Sequence, residues 1–424
     1  MEVLVLAAGK GKRFKAGYEK IQAPFFGKTV LEGLLYTVKA FFKGNVEKVS
    51  VLFSNETKFV LQDDYNEYIQ CSGGYGTAWG VKSFLKQKEI NDDLLVLFAD
   101  SPLISKDSIA KFHEKKADLV IGVMEMPSGD EAYGRVLFEG GKVVGITEFV
   151  NHPEKTQFAN SGILKISKKA QALISKIKEN INGEFFLTDL VSICNESGLS
   201  IDFIVIEPSQ ALGFNSVQEY SNLLKQAQVL WRRKAENDGV VFYDADSVFL
   251  SQEFKADAGV IIEPNVHFLG KVELKSGAHI RSFSVLQDCV ISGTVGPFAY
   301  LRDEVEIGEN SHIGAFVEVK KSKIGKGVKA KHLAYIGNAN LADNVNIGAG
   351  AVFCNYDGKK KSSIEIGESS FIGANSSLVA PLKTGSNVYL AAGSVLSENL
   401  RSNSFAIARS LLKTKVKSSP EEKT

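Results

Sequence analysis

The sequence is poor in several things, and each shortage excludes something. Its 424 residues include only four cysteines, Cys71, Cys194, Cys289 and Cys354, with no C-x-x-C pair and no zinc-type spacing. This argues against a disulfide framework or a structural zinc, and for reduced, mostly buried thiols in a cytoplasmic protein. No apolar run approaches the length that crosses a bilayer, and the short run at 3–8 follows an acidic start, unlike a secretory leader. Net charge is scarce too: 50 Lys plus Arg against 49 Asp plus Glu leave +1. No global field holds a nucleic acid or an anionic membrane, so neither partner is expected, and phosphate chemistry must come from local sites. The chain is also too long for a single core, which predicts two or three domains.

What is present in quantity is a beat. From about 260 to 396 an aliphatic residue followed by a small one returns every sixth position, as in Ile307-Gly308, Ile313-Gly314, Ile324-Gly325, Ile336-Gly337, Ile347-Gly348, Ile366-Gly367 and Ile372-Gly373. Six fits neither the helical period nor strand alternation; it is the period of a parallel β-helix whose coils stack on a shared core. The segment 329–335, Lys-Ala-Lys-His-Leu-Ala-Tyr, interrupts the beat and carries His332 at its centre. An imidazole there is free of duty to the core and can accept a proton near neutral pH. His267, His279 and His312 lack that setting and read as structural.

The first half reads differently. Residues 3–8 form a buried-strand pattern that runs into Gly9-Lys10-Gly11-Lys12-Arg13, a turn whose backbone N–H groups can approach phosphates while the cations neutralise them. Further strands are expected at 46–53, 94–98, 119–124, 142–146 and 201–206, separated by amphipathic helices at 30–42, 106–114 and 168–179. The alternation predicts an α/β domain with a largely parallel sheet. We place this domain at 1–218, a helical linker ending at Asn237-Asp238-Gly239 at 219–239, the β-helix at 240–410, and a polar, disordered tail at 411–424.

Together, Leu6-Ala-Ala-Gly-Lys-Gly-Lys-Arg13 and a run of motifs in the second half carry a resemblance. These are Ala299-Tyr-Leu-Arg302, Val317-Glu-Val-Lys-Lys321, Lys331-His-Leu-Ala-Tyr335, Asn344-Val-Asn-Ile-Gly-Ala-Gly350, Cys354-Asn-Tyr-Asp-Gly358, Val379-Ala-Pro381, Ala391-Ala-Gly393 and Ile407-Ala-Arg409. The chain resembles the bifunctional N-acetylglucosamine-1-phosphate uridyltransferases and glucosamine-1-phosphate N-acetyltransferases of bacterial cell-envelope synthesis. The resemblance implies an α/β Rossmann-like nucleotidyltransferase domain followed by a left-handed parallel β-helix (hexapeptide repeat). It implies acetyl-CoA-dependent N-acetylation of glucosamine 1-phosphate, then Mg²⁺-dependent uridylyl transfer from UTP with release of pyrophosphate. It also implies a homotrimer formed through the β-helix. The alternative is an acetyltransferase with a weak or differently specific nucleotidyl site.

Carried over residue by residue, the resemblance gives Leu6, Ala7, Ala8 and Gly9 to the nucleotide, Phe98 and Ala99 to the nucleotide and sugar, and Arg13 and Lys20 to the triphosphate and departing pyrophosphate. Asp100, after Phe98 and Ala99, and Asn215 match the metal ligands; hard oxygens of this kind suit Mg²⁺. Gln70, Gly76 and Thr77 face the base, while Gly134, Glu148 and Asn160 grip the acetylated sugar and ribose. For acetyl transfer, His332 is the base, Arg302 and Lys320 hold the sugar phosphate, and Tyr335 and Asn346 fix the sugar. Ala349, Asn355, Tyr356, Ala374, Ala392 and Arg409 line the acetyl-CoA groove.

The chain departs from the family pattern at five places, one of them Lys12, where a small hydroxyl residue is usual and which reads as solvated surface. Cys71-Ser-Gly-Gly-Tyr75 replaces the usual base-facing run, and pairing Gly76-Thr77 with it needs a one-residue slip. Ala99 stands for glycine and Glu19 for proline. Ala374 stands for a common serine, a loss of one hydrogen bond of about 0.5–1.5 kcal/mol that should weaken coenzyme A binding modestly.

Overall fold

The computed structural model describes residues 1–9, 11, 13–125, 133–147 and 156–414. Glu148, one of the expected sugar-binding residues, lies outside them, as does the tail beyond 414. The chain divides into two compact units, Met1–Ala227 and the remainder from Gln228, so the division falls inside the helix Val217–Asn237.

In the first unit, the strands Glu2–Ala7, Val49–Phe53 and Leu94–Phe98 are, apart from Glu2 and Ser50, built from apolar residues, most of them buried whichever face they point to. Such continuous apolar runs belong in the middle of a covered parallel sheet. The seven-strand path runs Ile201–Val205, Leu119–Glu125, Phe158–Ile166, Leu94–Phe98, Glu2–Ala7, Val49–Phe53, Asn66–Ile69. Glu2–Ala7 pairs in parallel with both of its neighbours. Phe158–Ile166, which the sequence pattern did not reveal, runs antiparallel between two parallel neighbours. It returns from an antiparallel hairpin, Arg135–Glu139 with Lys142–Thr147, and so enters the sheet reversed. Helix Lys106–Glu114 spans the expected residues. The expected helix at 168–179 is shorter, Lys168–Leu173, because a single 3₁₀ turn ends it and Ile177 is extended.

The second unit stacks its strands in a ten-stranded and a fourteen-stranded parallel ladder, the latter forking after Val285–Ile291 into two columns. The result is a three-sided coil, a left-handed β-helix. Every isoleucine of the beat points inward: Ile307, Ile313, Ile324, Ile336, Ile347, Ile366 and Ile372 are each at most 4% exposed within one continuous core. The glycines after them let coils approach, since a side chain at Gly308 would sit 2.6 Å from the Gly325 carbonyl carbon.

The interruption at 329–335 is one of sequence and not of backbone. Lys329–His332 pairs with His312–Ala315 below and with Asn346–Ile347 above, and Ala330, fully buried, takes the core seat that isoleucine holds elsewhere. The helix Val217–Asn237 is not a loose connector at its end. Gln228, 4% exposed, exchanges two 2.8 Å hydrogen bonds with the Leu250 backbone, and Arg232 bonds Asp246 at 2.9 Å.

Candidate active sites

In the first unit, Leu6, Ala7 and Phe98 lie at the ends of adjacent parallel strands, with Leu6 in register with Phe98. The Ala99 amide donates to the Leu6 carbonyl at 3.1 Å, which aims the next residue, Asp100, past the strand edge. Ala8 and Gly9 follow Ala7 out of the sheet, and Arg13 is exposed. Lys20 is not on the surface: its side chain is 9% exposed. Its ammonium contacts Asp100 Oδ2 and stands 3.3 Å from Asn215 Oδ1, and it lies over the Phe214 ring at 5.1 Å. Gly11, at φ +51°, lies against the Lys20 stem, where an added side chain would meet Cβ at 3.0 Å. Phe14 packs edge-on against Phe214 and Tyr220, tying the glycine loop to the Asn215 turn. The structure thus converges Lys20, Asp100 and Asn215 on one point.

Gln70 also reaches this region. A side chain added at Gly80 would meet Leu6 Cδ2 at 3.1 Å and Gln70 Oε1 at 3.5 Å, so the glutamine amide and Leu6 are neighbours. Gly76, at φ +103°, is the N-cap of helix Thr77–Leu85. The divergent segment before it is strapped to distant chain. Phe185 N donates to the Tyr75 carbonyl at 3.0 Å, Ala78 N to the Phe185 carbonyl at 3.0 Å, and Leu187 N to Thr77 Oγ1 at 2.9 Å. Trp79 Nε1 donates to the Cys71 carbonyl at 2.9 Å, and its ring lies on Gly74. On the other side, Asn160 N donates to the Gly134 carbonyl at 2.8 Å, and Asn160 Oδ1 accepts from Gly162 N at 3.0 Å.

In the β-helix, Arg302 and Lys320 occupy matching positions on neighbouring coils. Arg302 forks onto Glu318 Oε1 at 2.7 and 3.2 Å. Burial opposes the guanidinium charge, but the Glu318 hydrogen bond and the Asp303 carboxylate outweigh it and hold Arg302 above its ordinary pKa. Tyr335 follows on the next coil, in register with Glu318. A side chain at Gly337 would lie 2.5 Å from the Tyr335 hydroxyl and 2.6 Å from Asn355 Nδ2, so both polar groups close over that glycine. Asn355, 6% exposed, donates to Asn338 Oδ1 at 2.7 Å. Tyr356 is exposed, its hydroxyl bonded to the Gly358 carbonyl at 2.7 Å.

Ala349, Ala374, Ala392 and Arg409 form a single column at one corner. Asn375 N donates to the Ala349 carbonyl, Gly393 N to the Ala374 carbonyl, both at 2.8 Å, and Arg409 Nη1 to the Ala392 carbonyl at 3.2 Å. The row of small side chains thus ends on the Arg409 cation. His332 is exposed at the end of Lys329–His332, and it and Asn346 stand on the ten-stranded ladder, whereas Arg302, Lys320 and Tyr335 stand on the fourteen-stranded one.

Residues 3–130 match the model of the MobA-like NTP transferase domain. A curated relative, the bifunctional protein GlmU of Bartonella quintana (strain Toulouse), is 36% identical over 433 residues, covering 97% of this chain and 95% of that one. The bifunctional protein GlmU of Bartonella bacilliformis is 35% identical, covering 96% and 93%. This chain belongs to the GlmU family. It is an enzyme, and the two-domain fold and paired transferase activities expected from the sequence stand. Among solved structures, an inositol-1-phosphate CTP transferase from T. maritima is 14% identical with a TM-score of 0.43, covering 54% of this chain and 96% of that one.

In this GlmU-family chain the structure adds residues that the motifs did not single out. Lys361 lies beside Lys320, whose charge lowers the Lys361 pKa. It reaches there because the 355–361 loop folds back, with Tyr356 paired antiparallel to Lys361. Asp303, Lys320, Asn338 and Lys361 line one groove of about 850 Å³. The hairpin-like return of the loop is the signal; in the sequence only the spacing between Asn346 and Phe371, longer than other coils, hints at it.

A GlmU nucleotidyl site needs a divalent metal. Among the described residues no group of three His, Cys, Asp or Glu forms a metal site. Asp100 and Asn215 fit that need: two hard oxygens already converge on a cation, the Lys20 ammonium.

Proposed function

We propose that this enzyme makes UDP-N-acetylglucosamine at the two sites just described. Glucosamine 1-phosphate is acetylated on nitrogen by acetyl-CoA in the β-helix unit. The product then attacks UTP in the first unit, forming the phosphoanhydride and releasing pyrophosphate.

In the acetyl step, Arg302, Lys320 and Lys361 hold the sugar phosphate by charge-assisted hydrogen bonds, and Tyr335 and Asn346 orient the ring. His332 takes the proton from the sugar ammonium, whose freed lone pair attacks the thioester carbonyl; the thiolate of coenzyme A leaves and is protonated. Asn355 and Tyr356 sit at the thioester end of the groove, and Arg409 answers the phosphates at the other.

In the nucleotidyl step, Leu6 to Gly9 seat the nucleotide, Gln70 and Thr77 face the base, and Gly134, Glu148 and Asn160 hold the sugar. Arg13 and Lys20 neutralise the triphosphate as pyrophosphate departs. Asp100 and Asn215 would hold Mg²⁺, which supplies charge neutralisation between nucleotide and sugar phosphate.

The observation that carries the reading is the convergence of Lys20, Asp100 and Asn215 at the edge of the Leu94–Phe98 strand, where nucleotidyl transfer needs cations and hard oxygens together. The deciding experiment incubates the purified protein with Mg²⁺, N-acetylglucosamine 1-phosphate and each of UTP, dTTP, CTP, ATP and GTP. UTP is expected to turn over fastest; equal or faster turnover with another nucleotide refutes uridylyl transfer.

Three copies assemble through the β-helix. Two rows of stacked exposed rings on its outside, Phe283, Phe298 and Phe316 in one and Phe371, Tyr389 and Phe405 in the other, support such packing. The placement of His332 and Arg302 on different ladders supports sites completed between copies. Sedimentation at equilibrium giving a monomer would refute this. Four free cysteines, and no helix among the described residues long and apolar enough to cross a membrane, agree with a cytoplasmic location.

A further inference from the structure

We infer that Lys20 occupies the metal-binding position of the nucleotidyl site before substrate arrives, so that the divalent metal enters with the nucleotide and not ahead of it. The inference rests on reading Asp100 and Asn215 as the metal ligands and goes beyond that reading by assigning Lys20 a second position.

The Lys20 ammonium touches Asp100 Oδ2 and lies 3.3 Å from Asn215 Oδ1. These two oxygens come from positions far apart in the chain and meet only at this cation. The remaining Asp100 oxygen has Ser101 Oγ at 3.5 Å. A divalent ion bound to the same oxygens would share their space with a like charge in a place largely closed to water, with the Lys20 side chain 9% and the Asp100 side chain 27% exposed. Little screening reaches such a pair, so the two cations exclude one another.

The Lys20 stem lies against the Gly11 turn, while its ammonium stands 5.1 Å from the Phe214 ring centroid; that ammonium is a point charge at the end of a flexible chain. A triphosphate laid along the glycine loop offers that tip a stronger partner than one carboxylate. The ammonium then turns to phosphate, and Asp100 and Asn215 are released to the metal. The consequence is positive coupling: nucleotide raises metal affinity, and by reciprocity metal raises nucleotide affinity. A site that loads its metal only with substrate avoids the ordered, metal-only state.

The test uses Mn²⁺ as the probe and water-proton relaxation as the readout, on the full chain. In the absence of nucleotide, Lys20→Met is expected to bind Mn²⁺ at least tenfold more tightly than the wild type, and adding Asp100→Asn is expected to erase the gain. Lys20→Arg, which keeps the charge, is expected to match the wild type, and circular dichroism melts confirm that each variant is folded. Equal Mn²⁺ affinity of Lys20→Met and wild type, or an equal gain in Lys20→Arg, overturns the inference. Should Lys20→Met not fold, Lys20→Gln takes its place with the same expectations. Failure of the underlying reading looks different: Asp100→Asn alone would then leave Mn²⁺ binding in the presence of UTP unchanged.

Discussion

Arg302 and Lys320, one coil apart, share a single carboxylate: Asp303 Oδ2 lies 3.3 Å from Arg302 Nη1 and 3.1 Å from Lys320 Nζ. The two cations are thereby held side by side and partly neutralised. Arg302→Ala or Lys320→Ala removes a charge-assisted hydrogen bond of about 1.5–3 kcal/mol. The KM for glucosamine 1-phosphate should rise by about 10- to 100-fold, with the uridylyl assay unchanged. Initial-rate kinetics of both half-reactions check this.

His332→Ala should lower kcat of acetyl transfer by about 10²- to 10⁴-fold, the usual worth of a positioned base. Uridylyl transfer in the same preparation should persist. Loss of both activities in a folded protein would refute two separate sites.

Asn355 is buried and bonded to Asn338 at 2.7 Å. Asn338→Ala strands the Asn355 amide and should cost about 1–3 kcal/mol of stability. It should also raise the KM for acetyl-CoA, since Asn338 fixes the Asn355 amide that we propose meets the coenzyme. Urea denaturation and acetyl-CoA titration report the two effects separately.

Gly76→Ala should destabilise the first unit by about 1–3 kcal/mol, because the backbone at φ +103°, ψ 168° is open essentially to glycine alone. The added methyl would also meet the Phe185 carbonyl oxygen at 2.5 Å. The same change should weaken nucleotide binding, as the strap that positions Thr77 is displaced. Thermal melts and UTP calorimetry measure both.

His312 titrates below its ordinary value of 6.5, first because burial disfavours its charged form and then because the charges of Lys331 and Arg281 stand nearby. The unfolded chain therefore takes up that proton first as pH falls. The stability contribution is complete above 6.5 and is lost as pH drops through the folded value. Below 6.5, the melting temperature of His312→Asn should fall less steeply than that of the wild type.

The repeat domain was legible from its isoleucines because every coil sees the same neighbours, so a local pattern suffices to place a side chain inside. Ala330 shows the limit: the core seat survives with a smaller occupant, and the sequence then mimics a break where the backbone has none. The antiparallel Phe158–Ile166 strand was hidden because its direction depends on the hairpin before it. Lys361 was hidden because only the folded-back loop brings it to Lys320. Lys20, Asp100 and Asn215 were each marked by their motifs, but their mutual contact, joining chain ends of a domain, is a tertiary fact.

Between Asn346 and Phe371 the chain spends more residues than on other coils, yet Phe371 lands in register on Asn346 and the stack continues unshifted to Phe405. Coil length and column phase are thus decoupled. A lineage carrying this scaffold can change the length of the 355–361 loop, and with it the reach of Lys361, without shifting the column of Ala349, Ala374 and Ala392.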